Sequence, residues 1–92
     1  MDEGLKSKIG AVMRRQHDIW TSTLGRHIGS VLSERQRAVA EAICNGLSDK
    51  EIAHALGCAT KTTQVHVSAI LTRLGLTSRT QVAAVLLKAV QQ

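Results

Sequence analysis

The residues best suited to chemistry lie in the middle of the chain, where polar side chains recur at intervals of three and four. Gln64, Val65 and Ser68 fall on one face of a helix at that spacing. A Gln amide can hydrogen-bond to N6 and N7 of adenine, a branched apolar group can contact the thymine methyl, and a Ser hydroxyl can pair with several bases. This combination predicts a helix that enters the major groove of duplex DNA and reads bases with these residues.

Other polar side chains on the same segment suit phosphate oxygens, which fix the position of a protein on DNA without reading its sequence. The residues with this predicted role are Lys61, Thr62, His66 and Arg73. Two alternatives remain open at this point. Gln64 and Ser68 also fit an ordinary solvated surface, and His66 also fits a boundary side chain that forms hydrogen bonds within the fold.

A helix that presents these residues must bury its opposite side. At about 100° per residue, the positions that fall together on that side are Thr63, Val67, Ile70 and Leu74. A shorter helical segment comes before this one, and Gly57 lies between the two. Two helices joined by a short turn are the outline of a helix-turn-helix.

Capping signals define the helix boundaries from residue 32 onward. Ser33, Ser48 and Ser78 each stand three residues before a Gln or Glu, which is the capping-box pattern. A Gly follows the helical stretches at positions 46, 57 and 75, where a left-handed residue would end a helix. The chain contains no Pro, and we predict an all-α fold with helices over 34–45, 49–56, 60–74 and 79–90.

The first 30 residues are predicted to form an N-terminal extension to a domain over 31–92. The stripe that marks an amphipathic helix there consists of Leu5, Ile9, Val12, Gln16, Ile19 and Thr23. This helix either packs on the domain behind it or pairs with a second copy in a short coiled coil. Gly25, Gly29 and Ser30 are predicted to mark a hinge or turn after it.

The last predicted helix has more apolar surface than one contact requires. Its apolar residues on one side are Val82, Val85, Leu86 and Ala89, and Ala83, Ala84 and Leu87 extend that surface. A surface of this kind on a terminal helix is typical of a partner contact. The alternative is that the N-terminal helix covers it.

Composition limits the classes of function. The net charge of +5 favours an anionic partner, nucleic acid before a membrane surface. One Trp without Phe or Tyr argues against proteins that stack bases on aromatic rings. Catalytic pairs, phosphate-binding loops, metal-ligand spacings and membrane-length apolar runs are absent from the sequence, so we predict no enzyme, cofactor, metal or membrane contact. Cys44 and Cys58 are predicted to be reduced thiols of a cytoplasmic protein, with Cys58 a core residue.

A series of motifs resembles the LuxR-type (NarL/FixJ/GerE-like) helix-turn-helix of bacterial transcription regulators. The motifs are LSERQ at 32–36, GLSDKEIA at 46–53, LG at 56–57, KTTQVHV at 61–67, ILTRLG at 70–75 and SRTQ at 78–81. The resemblance implies a four-helix DNA-binding domain whose third helix enters the major groove, and a homodimer that often pairs through the last helix. It assigns base reading to Gln64, Val65 and Ser68, and it adds Lys50 to the phosphate-contact candidates.

Several positions depart from the family pattern: Gln36, Ala38, Ala59, Thr63 and Ser68. Acidic residues are usual at the first two, which implies altered ion pairing in the first predicted helix. Ala59 replaces a common capping Ser, so Thr60 is expected to cap the third helix. Thr63 takes a buried position that is usually apolar, and its hydroxyl needs a backbone acceptor. Ser68 stands where Lys or Arg is frequent, which weakens electrostatic affinity.

The leading interpretation is a sequence-specific transcriptional regulator that binds double-stranded DNA as a homodimer. The alternative is a protein-interaction module that pairs with a larger regulator and inhibits it. The few basic residues of the third helix and the apolar surplus of the fourth favour that alternative. RNA polymerase or another regulator is a further candidate partner. Met1 and the helical N-terminal segment favour a stand-alone protein over the output piece of a larger one.

Overall fold

Five helices make up the described part of the protein. The computed structural model describes residues 19–91. The helices are α1 Thr23–Gly29, α2 Glu34–Cys44, α3 Asp49–Leu56, α4 Thr60–Leu74 and α5 Arg79–Gln91, and residues 19–21 are also helical. No strand occurs within residues 19–91. The predicted all-α fold is confirmed, and the four predicted helices match α2 to α5 to within one residue at each end.

Side-chain hydrogen bonds account for the starts of α2, α3 and α5. The Ser33 hydroxyl accepts from the Gln36 amide at 3.1 Å, and the Gln36 side chain accepts from the Ser33 amide at 2.9 Å. The pairs that repeat this arrangement are Ser48 with Glu51 and Ser78 with Gln81. All three predicted capping boxes are confirmed, because both hydrogen bonds of each pair are present. Each box satisfies backbone amide groups that the first turn of a helix leaves unpaired.

α2 packs against both α4 and α5, and it has more buried residues than any other described helix. α3 packs on α4, and α1 packs on α5. The largest fully buried apolar side chains are Ile19, Leu47, Ile52, Ile70 and Leu86, and they belong to one core cluster. Removal of such surface from water is the main driving force of folding. Because Ile70 belongs to this core, one side of α4 is committed to packing.

The N-terminal segment, by which we mean residues 19–31 of the described part, contributes to the same core. Most of the predicted amphipathic helix lies in residues 1–18, outside the described part, so its pairing with a second copy stays a prediction, as does the domain division at residue 30. Ile19 of the predicted stripe is 0% exposed, and Ile28 and Leu32 are buried in the same cluster. The described end of the segment therefore packs against its own domain.

The predicted hinge at Gly25 and Gly29 is wrong. Both residues lie within α1 and are buried. The chain bends before them at Ser22, whose hydroxyl accepts from the Gly25 amide at 2.9 Å and caps α1. A Cβ atom at Gly25 would overlap the Ile19 carbonyl oxygen, so Gly25 is required for close approach. Ser30 fits the prediction, since it follows the last residue of α1 and begins a turn.

A hydrogen bond between the half-buried Trp20 and the buried Glu41 holds the N-terminal segment to α2. The Trp20 indole N–H donates to the carboxylate of Glu41, a residue that is only 2% exposed. Burial raises the pKa of Glu41 above its ordinary value of 4.5, and the indole hydrogen bond and the charge of Arg37 partly oppose that rise. No sequence pattern predicted this pair, because its members lie 21 positions apart.

Candidate nucleic-acid interface

The inner side of α4 is buried in the way its sequence predicts. Thr63 and Ile70 are 0% exposed. Val67 and Leu74 are half-buried and pack against the core. The predicted stripe is confirmed, and the contacts of α4 with α2 and α3 fix which side of the helix faces outward.

The opposite side of α4 is open to solvent. We define the outer face of α4 by its exposed residues Lys61, Gln64, Val65, Ser68 and Thr72. Val65 is 61% exposed, the largest value among the exposed large hydrophobic residues of the described part. An apolar side chain with this exposure gains little from burial. The three predicted base-reading residues thus lie together on one accessible surface.

The turn between α3 and α4 sets the relation of the two helices. Gly57 ends α3 with φ at +69°, and the Cys58 amide donates to the Ala53 carbonyl at 3.0 Å. A left-handed φ of this size disfavours any residue with a Cβ atom. The same conformation recurs at Gly46 with φ +80° and at Gly75 with φ +68°. All three predicted helix ends are therefore confirmed.

The start of α4 has no side-chain cap. Ala59 occupies the N-cap position in an extended conformation, and no side chain bonds to the amide groups there. Thr60 is already the first helical residue, so the expectation that Thr60 caps α4 is wrong. The first turn of α4 also contains no acidic residue. No acidic side chain in the first turn therefore offsets the positive end of the helix dipole. This end of α4 favours the binding of an anion.

The buried hydroxyl of Thr63 has a partner that its sequence did not indicate. Its Oγ1 atom lies 3.5 Å from Sγ of Cys58, and either group can donate. The expected backbone acceptor is therefore replaced by a thiol from the turn before α4. Cys44 and Cys58 both retain a thiol and are half-buried. This contact joins the inner side of α4 to the residue that leads into it.

The predicted phosphate-contacting residues differ in their surroundings. Those that are exposed in the first turns of α3 and α4 are Lys50, Lys61 and Thr62. His66 is half-buried on one flank of α4. Arg73 is exposed, and its guanidinium donates to the Val31 carbonyl at 3.2 Å, in the turn after α1. Of the predicted phosphate-contacting residues, Arg73 is the one whose side chain is seen to contact the N-terminal segment in the described structure.

An ion pair that the sequence patterns missed joins α5 to α3. Arg79 donates from Nη1 to the Asp49 carboxylate at 2.5 Å and from Nη2 to the Leu47 carbonyl at 2.8 Å. Asp49 directly precedes Lys50. The Arg79 charge therefore offsets a carboxylate beside a predicted phosphate contact. The two charged residues lie 30 positions apart, so no local spacing signals the pair.

Metal and membrane sites are not found in the described part of the chain. No cluster of three or more His, Cys, Asp or Glu side chains in residues 19–91 could hold a metal ion. Of the helices described, none combines the length and the apolar character needed to cross a membrane.

Comparison with known proteins finds one family and several relatives. The GerE family model, described as bacterial regulatory proteins of the luxR family, matches residues 30–86. The chain is 46% identical over 52 residues to the uncharacterized transcriptional regulatory protein YhcZ of Bacillus subtilis, an alignment that covers 56% of this chain and 24% of YhcZ. It is 38% identical over 60 residues to the transcriptional regulatory protein FixJ of Azorhizobium caulinodans, covering 65% of this chain and 28% of FixJ.

A third relative matches a similar length of this chain. The transcriptional regulatory protein UhpA of Salmonella typhimurium is 40% identical over 52 residues, which cover 56% of this chain and 26% of UhpA. The chain therefore spans about a quarter of the length of the curated relatives it matches. No solved structure matches the chain. The family match begins in the turn after α1 and ends within α5, so it contains the whole of α2, α3 and α4.

Proposed function

The chain belongs to the luxR family of bacterial regulatory proteins, and from this premise we propose that it regulates transcription by sequence-specific binding of duplex DNA through the outer face of α4. One observation carries the proposal. Thr63 and Ile70 on one side of α4 are 0% exposed, whereas Val65 on the other side is 61% exposed. A branched apolar group surrounded by polar ones has little packing value there, but it suits contact with a thymine methyl. The family and the relatives are regulators, which confirms the prediction that the chain is not an enzyme.

Three residues of the outer face supply base contacts, and Lys61 together with residues beside the face supplies phosphate contacts. Gln64, Val65 and Ser68 read base edges in the major groove. The groups that hold phosphate oxygens around them are Lys50, Lys61, Thr62 and His66, helped by the uncapped start of α4. Phosphate contacts set the register, and the outer face then sets the preferred sequence. Arg73 belongs to the same predicted set, and its contact with Val31 gives it a second candidate role.

A second copy of the chain pairs with the first on DNA. Leu87 and Val90 of α5 are 46% and 37% exposed, which leaves apolar surface open for a twofold contact. A twofold dimer places its two recognition helices in successive major grooves about 34 Å apart, so the bound site is palindromic. RNA polymerase or another regulator is a further partner of this complex, and the cytoplasm, where bacterial DNA lies, is its compartment.

Selection of bound duplexes from a random pool tests the proposal. The wild-type chain should recover a palindromic site, and Gln64→Ala should lose preference at one base pair of each half-site, by about 1–3 kcal/mol. Gln91→Ala is the matched control, because it makes the same change on the exposed end of α5. It should leave the selected site unchanged. Recovery of the same site by Gln64→Ala and wild type would show that the base-reading assignment is wrong.

A protein-interaction module is the second candidate function. The exposed Leu87 and Val90 favour it, since apolar surface on α5 suits a partner helix as well as a second copy. In that case the chain shifts no duplex in a gel even at low salt, and it forms a stable complex with a larger regulator of the same family. Sequence selection and the gel shift therefore separate the two candidates.

A further inference from the structure

Arg73 joins the C-terminal end of α4 to the turn that follows α1. Its Nη1 atom donates to the Val31 carbonyl oxygen at 3.2 Å, across 42 positions of sequence. Arg73 is the second-last residue of α4, so the contact acts at the end of the helix that lies away from the α3–α4 turn. The start of α4 is positioned by α3, and its other end is joined to the N-terminal segment.

The carbonyl that Arg73 contacts is itself held in place. The amides of Val31 and Leu32 donate to carbonyl groups of α1 at 3.2 and 3.3 Å, which fixes the turn. One of those groups, the Gly29 carbonyl, also accepts from Arg37 of α2 at 3.1 Å. The turn that carries the Val31 carbonyl is therefore joined by hydrogen bonds to both α1 and α2. Arg73 contacts a defined part of the fold.

The direction of the Arg73 side chain separates it from the outer face of α4. Successive helical residues differ by about 100° around the axis, so Arg73 is turned by about that angle from Thr72. An Arg side chain carries five N–H donors, and the hydrogen bond to Val31 uses one of them. Geometry alone thus allows a phosphate contact and a structural contact. The two roles differ in what they do to binding.

We propose that Arg73 is a positioning residue, which holds the end of α4 against the turn after α1 so that residues 19–31 set the angle at which the outer face meets DNA. This rests on the proposed DNA-binding function, and it moves Arg73 from the phosphate contacts to the support of the base-reading helix. A change in that angle displaces Ser68 and Thr72, toward the far end of α4, more than Lys61 at its start. Loss of the contact therefore reduces discrimination between sequences, while attraction to phosphates is kept.

Arg73→Met and Lys61→Met form the matched pair that tests the proposal. Each change removes one positive charge from an exposed residue of α4 and keeps an unbranched side chain. Affinity is measured over a range of salt concentrations for the duplex selected from the random pool and for an unrelated duplex. Lys61→Met should lower the slope of log affinity against log salt by about 0.9, with the ratio of the two affinities unchanged. Arg73→Met should leave the slope unchanged and lower the ratio about tenfold, as when one base pair is misread.

Amide hydrogen exchange of the free protein supplies a readout that needs no DNA. Exchange in the last turn of α4, residues 71–74, should be faster in Arg73→Met than in wild type, because the helix end has lost its support. Lys61→Met should leave these rates unchanged. A wild-type chain that binds no duplex overturns the proposed function, whereas faster exchange in Arg73→Met still supports the positioning contact. The proposal is overturned if Arg73→Met lowers the salt slope by about 0.9, keeps the affinity ratio and keeps the wild-type exchange rates.

Discussion

Around Trp20 the chain buries the Glu41 carboxylate and pairs it with the indole N–H, whereas on the outer face of α4 it leaves polar side chains exposed. We call the first region the N-terminal seat and define it by Ile19, Trp20, Gly25, Gly29 and Glu41. Glu41 is 2% exposed and accepts from the Trp20 indole, while Val65 on the outer face is 61% exposed. Substitutions in the seat should therefore act on folding, and substitutions on the outer face should act on DNA binding with the fold intact.

The difference has a physical basis in desolvation. A buried polar group that loses its partner retains the full cost of its removal from water, so the seat tolerates little change. Substitution of an exposed residue leaves no buried group without a partner, so the residues of the outer face can vary with little effect on stability. We therefore expect stability and sequence preference to depend on different surfaces. The following substitutions test that separation, from the largest expected effect to the smallest.

Gly25→Ala should give the largest loss of stability. A Cβ atom at this position would overlap the Ile19 carbonyl oxygen and lie 2.9 Å from the Ser22 hydroxyl, so the segment before α1 must move. We expect the free energy of unfolding to fall by about 3 kcal/mol, measured by urea denaturation with Trp20 fluorescence as the signal. Ala is a better helix former than Gly by about 1 kcal/mol, so a gain in stability of that size would contradict the close approach.

Glu41→Leu should destabilise the seat by about 1–3 kcal/mol relative to Glu41→Gln. Leu removes the acceptor of the indole N–H of the half-buried Trp20, whereas the side-chain carbonyl oxygen of Gln can accept that hydrogen bond. Thermal unfolding of the two variants at neutral pH measures the difference. Equal stability of the two variants would show that the Trp20–Glu41 contact does not hold the segment to α2.

The raised pKa of Glu41 predicts how the stability of the protein changes with pH. The pKa of Glu41 is raised in the folded chain by burial, so the folded state keeps its proton to higher pH than the unfolded state. The contribution of Glu41 to stability is fully present below its ordinary value of 4.5, falls as pH rises above that value, and levels off above the raised pKa. Wild type should lose stability relative to Glu41→Gln across this range in denaturation at a series of pH values. A flat difference would contradict the shift.

Val65→Ser should alter recognition with little effect on folding. The change removes an apolar group that is 61% exposed, so we expect the free energy of unfolding to move by less than about 0.5 kcal/mol. Preference for thymine at one position of the selected site should fall by about 1 kcal/mol, in binding assays with single-base variants of that site. A large loss of stability with unchanged base preference would reverse the roles of the two regions.

Thr63→Val tests the inner side of α4 and should have the smallest effect. Val keeps the branched shape and removes a buried hydroxyl whose partner is the half-buried thiol of Cys58, 3.5 Å away. Replacement of a buried polar group by an apolar one of the same shape is nearly neutral when its partner is a weak one. We expect a change within about 0.5 kcal/mol in chemical denaturation. A loss well above 1 kcal/mol would show that this contact supports the start of α4.

Much of the helix-turn-helix was predictable because its signals are local. The capping box of Ser33 and Gln36 and the left-handed conformation of Gly57, with φ +69°, depend on residues only a few positions away. Their spacing in the sequence therefore predicted where α2 begins and where α3 ends. The burial of Ile70 and the exposure of Val65 could likewise be predicted from their angle around α4, because the apolar side of an amphipathic helix is the side that packs. Local spacing misled at Gly25, where a residue type common in turns permits a close approach inside a helix.

The amino-acid order alone determined the helical segments, the two sides of α4 and the kind of groups its outer face carries, since each depends on neighbours within about one or two turns. Tertiary structure decided which distant partners meet: Trp20 with Glu41, Asp49 with Arg79, and Val31 with Arg73. These pairs span 21 to 42 positions, and their formation depends on how whole helices cross in the core. No short-range periodicity contains that information, because the crossing is set by the joint packing of all five described helices.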